Sequence, residues 1–300
     1  MPNYFAVKQV LRLPEFMVRT MADHLIPDIL SIKSKMSFET RIFPTFCPGC
    51  GDFGIWAALK GSLKQLNLKT TQFCLVFEIG CSGNMSSFLK VYGFHGLHGR
   101  AIPAATGIKL ANHQQKVIVI GGDGGLLSGG LNHFVAAARS NMDIKVIIHN
   151  NQVYGLTTGQ SSPTSMKGTK GKTTPLGVVE KQLDPISLSI ISGATFVARS
   201  YAGNIPETTK IISAAISNKG FSVVEVLQPC VTFNKLNTHS WFQQRVSPLV
   251  STPKTDLEAL DKAQWTDHKV YLGIFKEDSS SIPYHETIPI LKSKTLIKYV

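Results

Sequence analysis

KVIVIGGDGGLLSGGLNHF, residues 116–134, is the stretch that decides the fold. Its apolar start predicts a buried strand over 116–121, and the periodic apolar residues after the glycines predict a helix over 126–140. Glycines between a strand and a helix let the backbone turn sharply and approach a ligand closely. The start of the helix offers free N–H groups and a positive dipole end to a phosphate. The pattern matches neither the G-x-G-x-x-G dinucleotide motif nor the P-loop.

Apolar strands and helical segments alternate on both sides of this stretch. Helices are predicted over 53–66, 100–112, 185–193 and 205–218, and strands over 72–79, 144–149, 195–199 and 221–227. The alternation predicts an α/β fold, a mostly parallel sheet with helices on both faces. We expect an N-terminal extension over 1–45, an α/β domain over 46–240 and a C-terminal segment over 241–300. The last segment is less periodic and is expected to pack loosely on the domain or against another subunit.

The chain of 300 residues is basic, with 31 Lys and Arg against 19 Asp and Glu and a net charge of +12. Such a surface suits solvent, another subunit or an acidic protein partner. Basic patches interleaved with aromatic residues and zinc-finger spacing are both missing, which argues against nucleic acid. No apolar run approaches the roughly 20 residues of a membrane-spanning helix. The start of the chain lacks a secretory signal, so we expect a cytoplasmic protein whose paired cysteines bind metal.

The aspartate inside the glycine turn predicts a metal site. Asp123 is a hard oxygen ligand in a phosphate-binding turn, which suits Mg²⁺ bridging a diphosphate. Asn151 lies one helix and one strand later, and a right-handed crossover returns the chain beside the first turn. The side chains of Asp123 and Asn151 and a carbonyl near Val153 are therefore expected to hold one Mg²⁺. An ordinary turn after a strand would explain the asparagine but not its pairing with GDG.

Four of the five cysteines fall where the predicted sheet has its ligand-binding edge. Cys47 and Cys50 form a CPGC motif ahead of the first helix, whereas Cys81 and Cys230 each follow a strand. Four thiolates that converge are typical of a [4Fe–4S] cluster. Structural zinc is the main alternative, although a second C-x-x-C motif is absent. Cys74 lies inside an apolar strand and is interpreted as a core residue.

Further motifs occur in the order found in a known protein family. They are CPGCG, IGCSGN, FHGLHGRAIPAATGIKLAN, GGDGG, HNNQVYGLTTGQSSPTS, TTPLG, DPISLSIISGATFVARSYAG and LQPCVTFNK. Over residues 42–245 the chain resembles the β subunits of 2-oxoacid:ferredoxin oxidoreductases, most closely the 2-oxoglutarate type. The resemblance implies the thiamine-diphosphate-binding fold. It also implies CoA-dependent oxidative decarboxylation of a 2-oxoacid, with 2-oxoglutarate favoured over pyruvate.

Three sets of residues match the cofactor sites that the resemblance implies. Cys47, Cys50, Cys81 and Cys230 match the four ligands of a [4Fe–4S] cluster. Asp123, Asn151 and the Val153 carbonyl match the positions that hold Mg²⁺. The positions that match the lining of the thiamine diphosphate site are Ile79, Gly80, Cys81, Ser82, His98, Asp123, Gly124, Gly125, Gly155 and Leu156.

The resemblance implies several partners as well. They are an α subunit, or γ and α chains, together with ferredoxin, the 2-oxoacid and CoA. The glutamate that activates the aminopyrimidine ring comes from the α subunit, so this chain is expected to be active only with it. Ferredoxins are typically acidic, and part of the +12 charge is expected to steer their docking. The alternative is a non-catalytic iron–sulfur or zinc-binding scaffold subunit of the same fold.

Two positions depart from the family pattern. Gly125 stands where many relatives carry a second acid after GDG, and Asn84 where some carry a basic residue thought to meet the substrate carboxylate. His98 and Arg100, just before a helix, are expected to orient substrate or diphosphate. The run 160–165, rich in serine, is expected to form a mobile lid near the site.

Overall fold

The computed structural model describes residues 38–266 and 268–293. The strands are β1 (Phe73–Phe77), β2 (Gly93–His95), β3 (Lys116–Gly122), β4 (Ile144–Asn150), β5 (Val153–Tyr154), β6 (Gln160–Ser161), β7 (Phe196–Tyr201), β8 (Ser222–Leu227), β9 (Val246–Pro248) and β10 (Val270–Glu277). The helices are α1 (Asp52–Gln65), α2 (Ala101–Ala111), α3 (Leu131–Arg139), α4 (Pro185–Ile191), α5 (Ile205–Ser217), α6 (His239–Gln243), α7 (Asp256–Ala263), α8 (Tyr284–Thr287) and α9 (Pro289–Ser293). Residues 1–37 of the predicted extension lie outside the described residues.

Eight strands form one sheet in the order β2-β1-β3-β4-β8-β7-β10-β9. The six strands from β2 to β7 in this order are parallel, β10 is antiparallel to β7, and β9 is parallel to β10. The two short strands β5 and β6 pair separately. The predicted mostly parallel α/β sheet is confirmed.

Both faces of the sheet are buried, as the continuous apolar strand 116–121 predicts. Val117 and Val119 of β3 pack into a core with residues of α2, α3, α4 and α7. Ile118 and Ile120 point to the other face and are equally buried. Helix α1 contacts α5, where the Ser62 hydroxyl donates to a carbonyl of α5. Helices therefore cover both faces.

Side-chain caps define where two of the helices begin. Asp184 accepts the backbone N–H groups of Ile186 and Ser187, and Pro185 occupies the first turn of α4. Proline suits this position because its missing N–H would have no helical partner there. Asn204 caps α5 in the same way. Strand β7 lies between these two helices in the chain.

The structure corrects two details of the sequence reading. Helix α3 begins at Leu131 rather than at 126, because residues 125–129 form a single π-helical turn. The segment after 240 is not loosely packed: β9 and β10 extend the sheet, and Phe275 is buried in the core. Within the described residues no helix combines the length and apolar character needed to cross a membrane.

Candidate active site

A cleft lies at the carboxyl ends of four neighbouring parallel strands, β1, β3, β4 and β8. Its volume is about 540 Å³ including the open mouth. Loops after parallel strands meet at one edge of a sheet, which is where α/β proteins bind ligands. All ten residues predicted to contact the cofactor line this cleft: Ile79, Gly80, Cys81, Ser82, His98, Asp123, Gly124, Gly125, Gly155 and Leu156. Asn151 and Val153, the other predicted Mg²⁺ positions, line it too.

Asp123 is almost completely buried, directly after β3. Burial raises the pKa of its carboxyl to about 6, although hydrogen bonds from Ser162 and Thr164 act in the opposite direction. Asn151 lies after the next strand, and its Oδ1 accepts the backbone N–H of Val153 at 3.0 Å. A buried carboxylate beside an amide oxygen and backbone carbonyls is a donor set that Mg²⁺ prefers.

Two glycines after Asp123 make room for neighbouring side chains. A β-carbon on Gly124 would overlap the ring of Tyr154, whose hydroxyl donates to the Gly124 carbonyl at 3.1 Å. A β-carbon on Gly125 would lie 2.5 Å from Cγ of Glu78. The missing second acid after GDG therefore has a physical reason, since the buried Glu78 fills that space. The GDG turn therefore still has a carboxylate beside it, that of Glu78, which directly follows β1.

Glu78 also holds the loop that carries His98. Its Oε1 accepts the backbone N–H of Gly99 at 2.9 Å, which places His98 in the cleft wall. Arg100 lies elsewhere, with its guanidinium 3.2 Å from His133 Nε2 and outside the cleft. The expected orienting role of Arg100 therefore has no support from this chain. Asn84 does not line the cleft either.

Three buried polar atoms in the cleft wall have no hydrogen-bond partner within the described chain. They are Ser82 Oγ, His149 Nε2 and Gln228 Oε1. The other ring nitrogen of His149 lies 2.7 Å from Oδ1 of the fully buried Asp52. Buried polar atoms are nearly always paired, so these three indicate a polar ligand in the cleft. The residues present therefore fit a diphosphate-bearing cofactor with its cation.

The predicted cysteine ligands gather beside the cleft. A β-carbon on Gly155 would lie 3.3 Å from Cys81 Sγ and 3.9 Å from Cys230 Sγ, so both sulfurs face this glycine. On the other side, the backbone N–H of Gly51 donates to the Pro229 carbonyl and docks the CPGC loop beside Cys230. The exposure of the cysteines falls from Cys47, which is exposed, to Cys230, which is buried.

Burial and neighbouring charges raise the pKa of two of these cysteines. Burial raises the pKa of Cys81 to about 12, with further contributions from Asp52, Cys230 and Cys47. Burial and Asp52 raise the pKa of Cys50 as well. A cation must therefore offset these effects before the thiols ligate as thiolates. Over residues 38–266 and 268–293, no group of three or more His, Cys, Asp or Glu side chains is arranged to hold a metal ion.

Five residues that line the cleft were not predicted from the sequence. They are Gly122, His149, Tyr154, Thr157 and Gln228. His149 and Gln228 could have been found by the rule that polar residues at the carboxyl ends of parallel strands face ligands.

The expected mobile lid at 160–165 was wrong. Ser162, Thr164 and Ser165 are buried, and Ser165 Oγ donates to the Gln152 carbonyl at 2.6 Å. None of the three side chains lines the cleft, and Thr164 contacts Asp123 from behind it.

Comparisons with known proteins define the class first. A family model described as the C-terminal TPP-binding domain of thiamine pyrophosphate enzymes matches residues 78–226. A second model, the C-terminal part of the pyruvate ferredoxin oxidoreductase β subunit, matches residues 230–293. The cleft with its GDG turn lies within the first match. The fold and the matched stretch therefore define a thiamine-diphosphate-binding oxidoreductase subunit.

Relatives narrow this class. The β subunit of 2-oxoacid:ferredoxin oxidoreductase 1 from Aeropyrum pernix is 44% identical over 84% of this chain and 83% of its own length. The 2-oxoglutarate synthase subunit KorB of Methanocaldococcus jannaschii is 38% identical over 65% of this chain and 72% of its own. A solved 2-oxoglutarate:ferredoxin oxidoreductase from Magnetococcus marinus, with 2-oxoglutarate, coenzyme A and succinyl-CoA bound, superposes with a TM-score of 0.80. It is 33% identical and covers 82% of this chain and 85% of its own.

This chain belongs to the β subunits of 2-oxoacid:ferredoxin oxidoreductases, and 2-oxoglutarate-type enzymes are among its relatives. It is therefore an oxidoreductase subunit, and the name of the family implies an α-subunit partner.

Proposed function

We propose that this chain, together with its α subunit, catalyses the CoA-dependent oxidative decarboxylation of a 2-oxoacid and passes the electrons to ferredoxin. The supporting observation is the cleft itself, where unpaired buried polar atoms, Asp123 and Asn151 adjoin the sulfurs of Cys81 and Cys230. 2-Oxoglutarate is favoured over pyruvate because several relatives carry 2-oxoglutarate in their names. A cytoplasmic location agrees with this function.

Asp123, Asn151 and the Val153 carbonyl would hold Mg²⁺ on the diphosphate of thiamine diphosphate. When bound, thiamine diphosphate supplies the electron sink that decarboxylation of a 2-oxoacid requires. Gly124 and Gly125 line the cleft where the diphosphate would bind, and His98 is held against the cleft by the loop that Glu78 fixes. The protein's own contribution is position, the exclusion of water and fixed hydrogen-bond partners.

Cys47, Cys50, Cys81 and Cys230 would hold one [4Fe–4S] cluster. Structural zinc would use the same four thiolates, and the iron content of the purified complex distinguishes the two. Cys81 lines the cleft and would therefore stand between the cluster and the cofactor. The path for electrons would be short.

Two proposed partners are the α subunit and ferredoxin. Asp123 is the one carboxylate among the described lining residues, and its proposed role is metal binding. The acid that activates the aminopyrimidine ring would therefore come from the α subunit, and this chain would be inactive without it. The net charge of +12 suits docking of an acidic ferredoxin.

The test is co-expression with the α subunit without oxygen, followed by turnover of several 2-oxoacids with CoA and either ferredoxin or a viologen dye as acceptor. We expect ferredoxin reduction that requires CoA, with 2-oxoglutarate the best substrate. A complex that carries the cluster but fails to bind thiamine diphosphate would contradict the proposal and indicate a scaffold subunit. Ferredoxin reduction that is equally fast at low and high salt would contradict charge-steered docking.

A further inference from the structure

A network of buried, hydrogen-bonded side chains runs from Asp123 into the middle of the sheet. Asp123 Oδ2 lies 2.5 Å from Thr164 Oγ1, which lies 2.8 Å from Asn150 Oδ1. Asn150 Nδ2 donates to Glu225 Oε1 at 2.6 Å, and Arg199 Nε donates to Glu225 Oε2 at 2.6 Å. All five side chains are at most 1% exposed. The contacts join five separate parts of the protein: the GDG turn, the loop after β6, and the strands β4, β8 and β7.

The end of this network that lies farthest from Asp123 is fixed by charge. The Arg199 guanidinium is fully buried and also donates to Asp184 Oδ1 at 2.7 Å and to the Ala263 carbonyl at 3.1 Å. Arginine has a planar fork of donors that holds carboxylates in one orientation. Glu225 is therefore held in place independently of Asn150.

The near end follows from that anchor. Glu225 Oε1 accepts a hydrogen bond from the NH₂ group of Asn150, and this orientation of the amide turns Asn150 Oδ1 toward Thr164. The Thr164 hydroxyl carries one hydrogen and has two acceptors within reach, Asn150 Oδ1 and Asp123 Oδ2. Thr164 therefore sits in a fixed position between the anchored amide and the Asp123 carboxylate.

We propose that Glu225 and Arg199 are positioning residues for the metal site, which act on the Asp123 carboxylate through Asn150 and Thr164. The inference rests on the proposed function, because it assigns Mg²⁺ to Asp123. Neither Glu225 nor Arg199 lines the cleft. Outer partners that orient a metal ligand typically affect metal affinity by 10- to 100-fold when they are removed.

The direct test is Thr164→Val in the complex with the α subunit, because valine keeps the shape and removes the hydroxyl. The measurement is the Mg²⁺ dependence of thiamine diphosphate binding, by calorimetry at saturating cofactor. We expect Mg²⁺ affinity to fall roughly 10- to 100-fold, while the visible absorbance of the cluster stays unchanged. Thr164→Ser, which restores a hydroxyl, is expected to recover most of the affinity.

Thr208→Val is the matched control. Thr208 lies in α5, away from the cleft. It is also fully buried, and its hydroxyl lies 2.6 Å from Ser200 Oγ. This substitution is expected to lower the melting temperature without changing Mg²⁺ affinity. Glu225→Gln tests the remote end, and it is expected to weaken Mg²⁺ binding although residue 225 does not line the cleft.

The outcomes separate the inference from the function. Thr164→Val and Glu225→Gln complexes that bind Mg²⁺ as tightly as the Thr208→Val control would overturn the positioning role and leave the proposed function standing. A melting temperature that falls in all three variants, with unchanged Mg²⁺ affinity, would have the same meaning. A wild-type complex without Mg²⁺-dependent binding of thiamine diphosphate would overturn the proposed function, and this inference with it.

Discussion

Two clusters of buried polar groups, one at each end of the parallel strands, differ in how completely the described residues satisfy them. At the amino edge, Asp143 lies 2.6 Å from the ammonium groups of both Lys109 and Lys145. Lys145 also donates to the carbonyls of Asn218 and Gly220. Three acceptors therefore match its three N–H groups.

At the carboxyl edge, Ser82, His149 and Gln228 each carry a buried polar atom without such a partner. A buried group with a full set of partners makes the fold rigid, whereas an unpaired one carries a free-energy cost that a ligand can remove. The contrast teaches that burial of polar groups alone does not mark a site; incomplete pairing beside an open cleft does. It also predicts that substitutions at the two edges have different effects.

The largest effect is expected at the carboxyl edge. Cys230→Ala removes a proposed cluster ligand and is expected to abolish the cluster's visible absorbance and all ferredoxin-linked turnover. Cys74→Ala is the matched control, since this half-buried thiol lies in β1, apart from the other four. Iron content and absorbance of both variants, purified without oxygen, provide the measurement. An intact cluster in the Cys230→Ala complex would rule out the assigned ligand set.

At the amino edge the expected loss is one of stability. Burial opposes ionisation of Asp143, but Lys145 and Lys109 lower the pKa of this carboxyl far below its usual range. Asp143→Ala leaves two buried ammonium groups without their carboxylate and is expected to cost about 3–5 kcal/mol of unfolding free energy. Denaturant titration measures it. Thiamine diphosphate affinity of the folded fraction should stay unchanged, and a parallel loss of affinity would break the division between the edges.

Two glycines give a smaller effect of opposite sign. Gly125→Ala forces a methyl group against Glu78 and is expected to destabilise the chain by about 1–3 kcal/mol. Gly107→Ala, in α2, meets no atom within 4 Å and is expected to stabilise it by roughly 0.5–1 kcal/mol. Melting temperatures of the two variants test this. If Gly125→Ala proved neutral, Glu78 would have room to move, and the tight packing at the carboxyl edge would be disproved.

The smallest effect concerns pH at the amino edge. Burial lowers the pKa of His285, and Lys109 and His113 lower it further, whereas Asp143 and Glu286 act in the opposite direction. As pH falls, the histidine of the unfolded chain binds a proton before that of the folded chain does. The contribution of His285 to the free energy of unfolding is therefore complete above the ordinary pKa of about 6.5 and decreases as pH falls below it. Thermal unfolding across that pH measures the decrease. His285→Phe should flatten the profile, and an unchanged slope would assign the effect to other groups.

Much of the fold and of the site was predictable, for different reasons. The apolar strands between amphipathic helices predicted the sheet, because a strand buried on both faces must be apolar throughout. The GDG turn, Asn151 and the cysteines were found because parallel topology brings strand ends together. Their roles as ligands remain predictions.

Other elements had no local signal. Strand β2 has three residues, and β10 pairs antiparallel with β7 only through tertiary contact. The roles of Glu78 and Thr164 depend on neighbours far away in the chain, Gly125 and Asp123. Spacing in the sequence carries no information about such contacts. Arg100 shows the converse, because its place before a helix indicated a cofactor role that its side chain does not support.

The pairing of Asp52 with His149 has a consequence for how this subunit could be tuned. Asp52 lies two positions beyond Cys50, a proposed cluster ligand, and its partner His149 forms part of the cleft wall. Solvent does not reach either side chain, and the effect of charge at such a buried pair is screened little. A charge-changing substitution at Asp52 would therefore be expected to affect both the proposed iron–sulfur centre and the proposed thiamine diphosphate site.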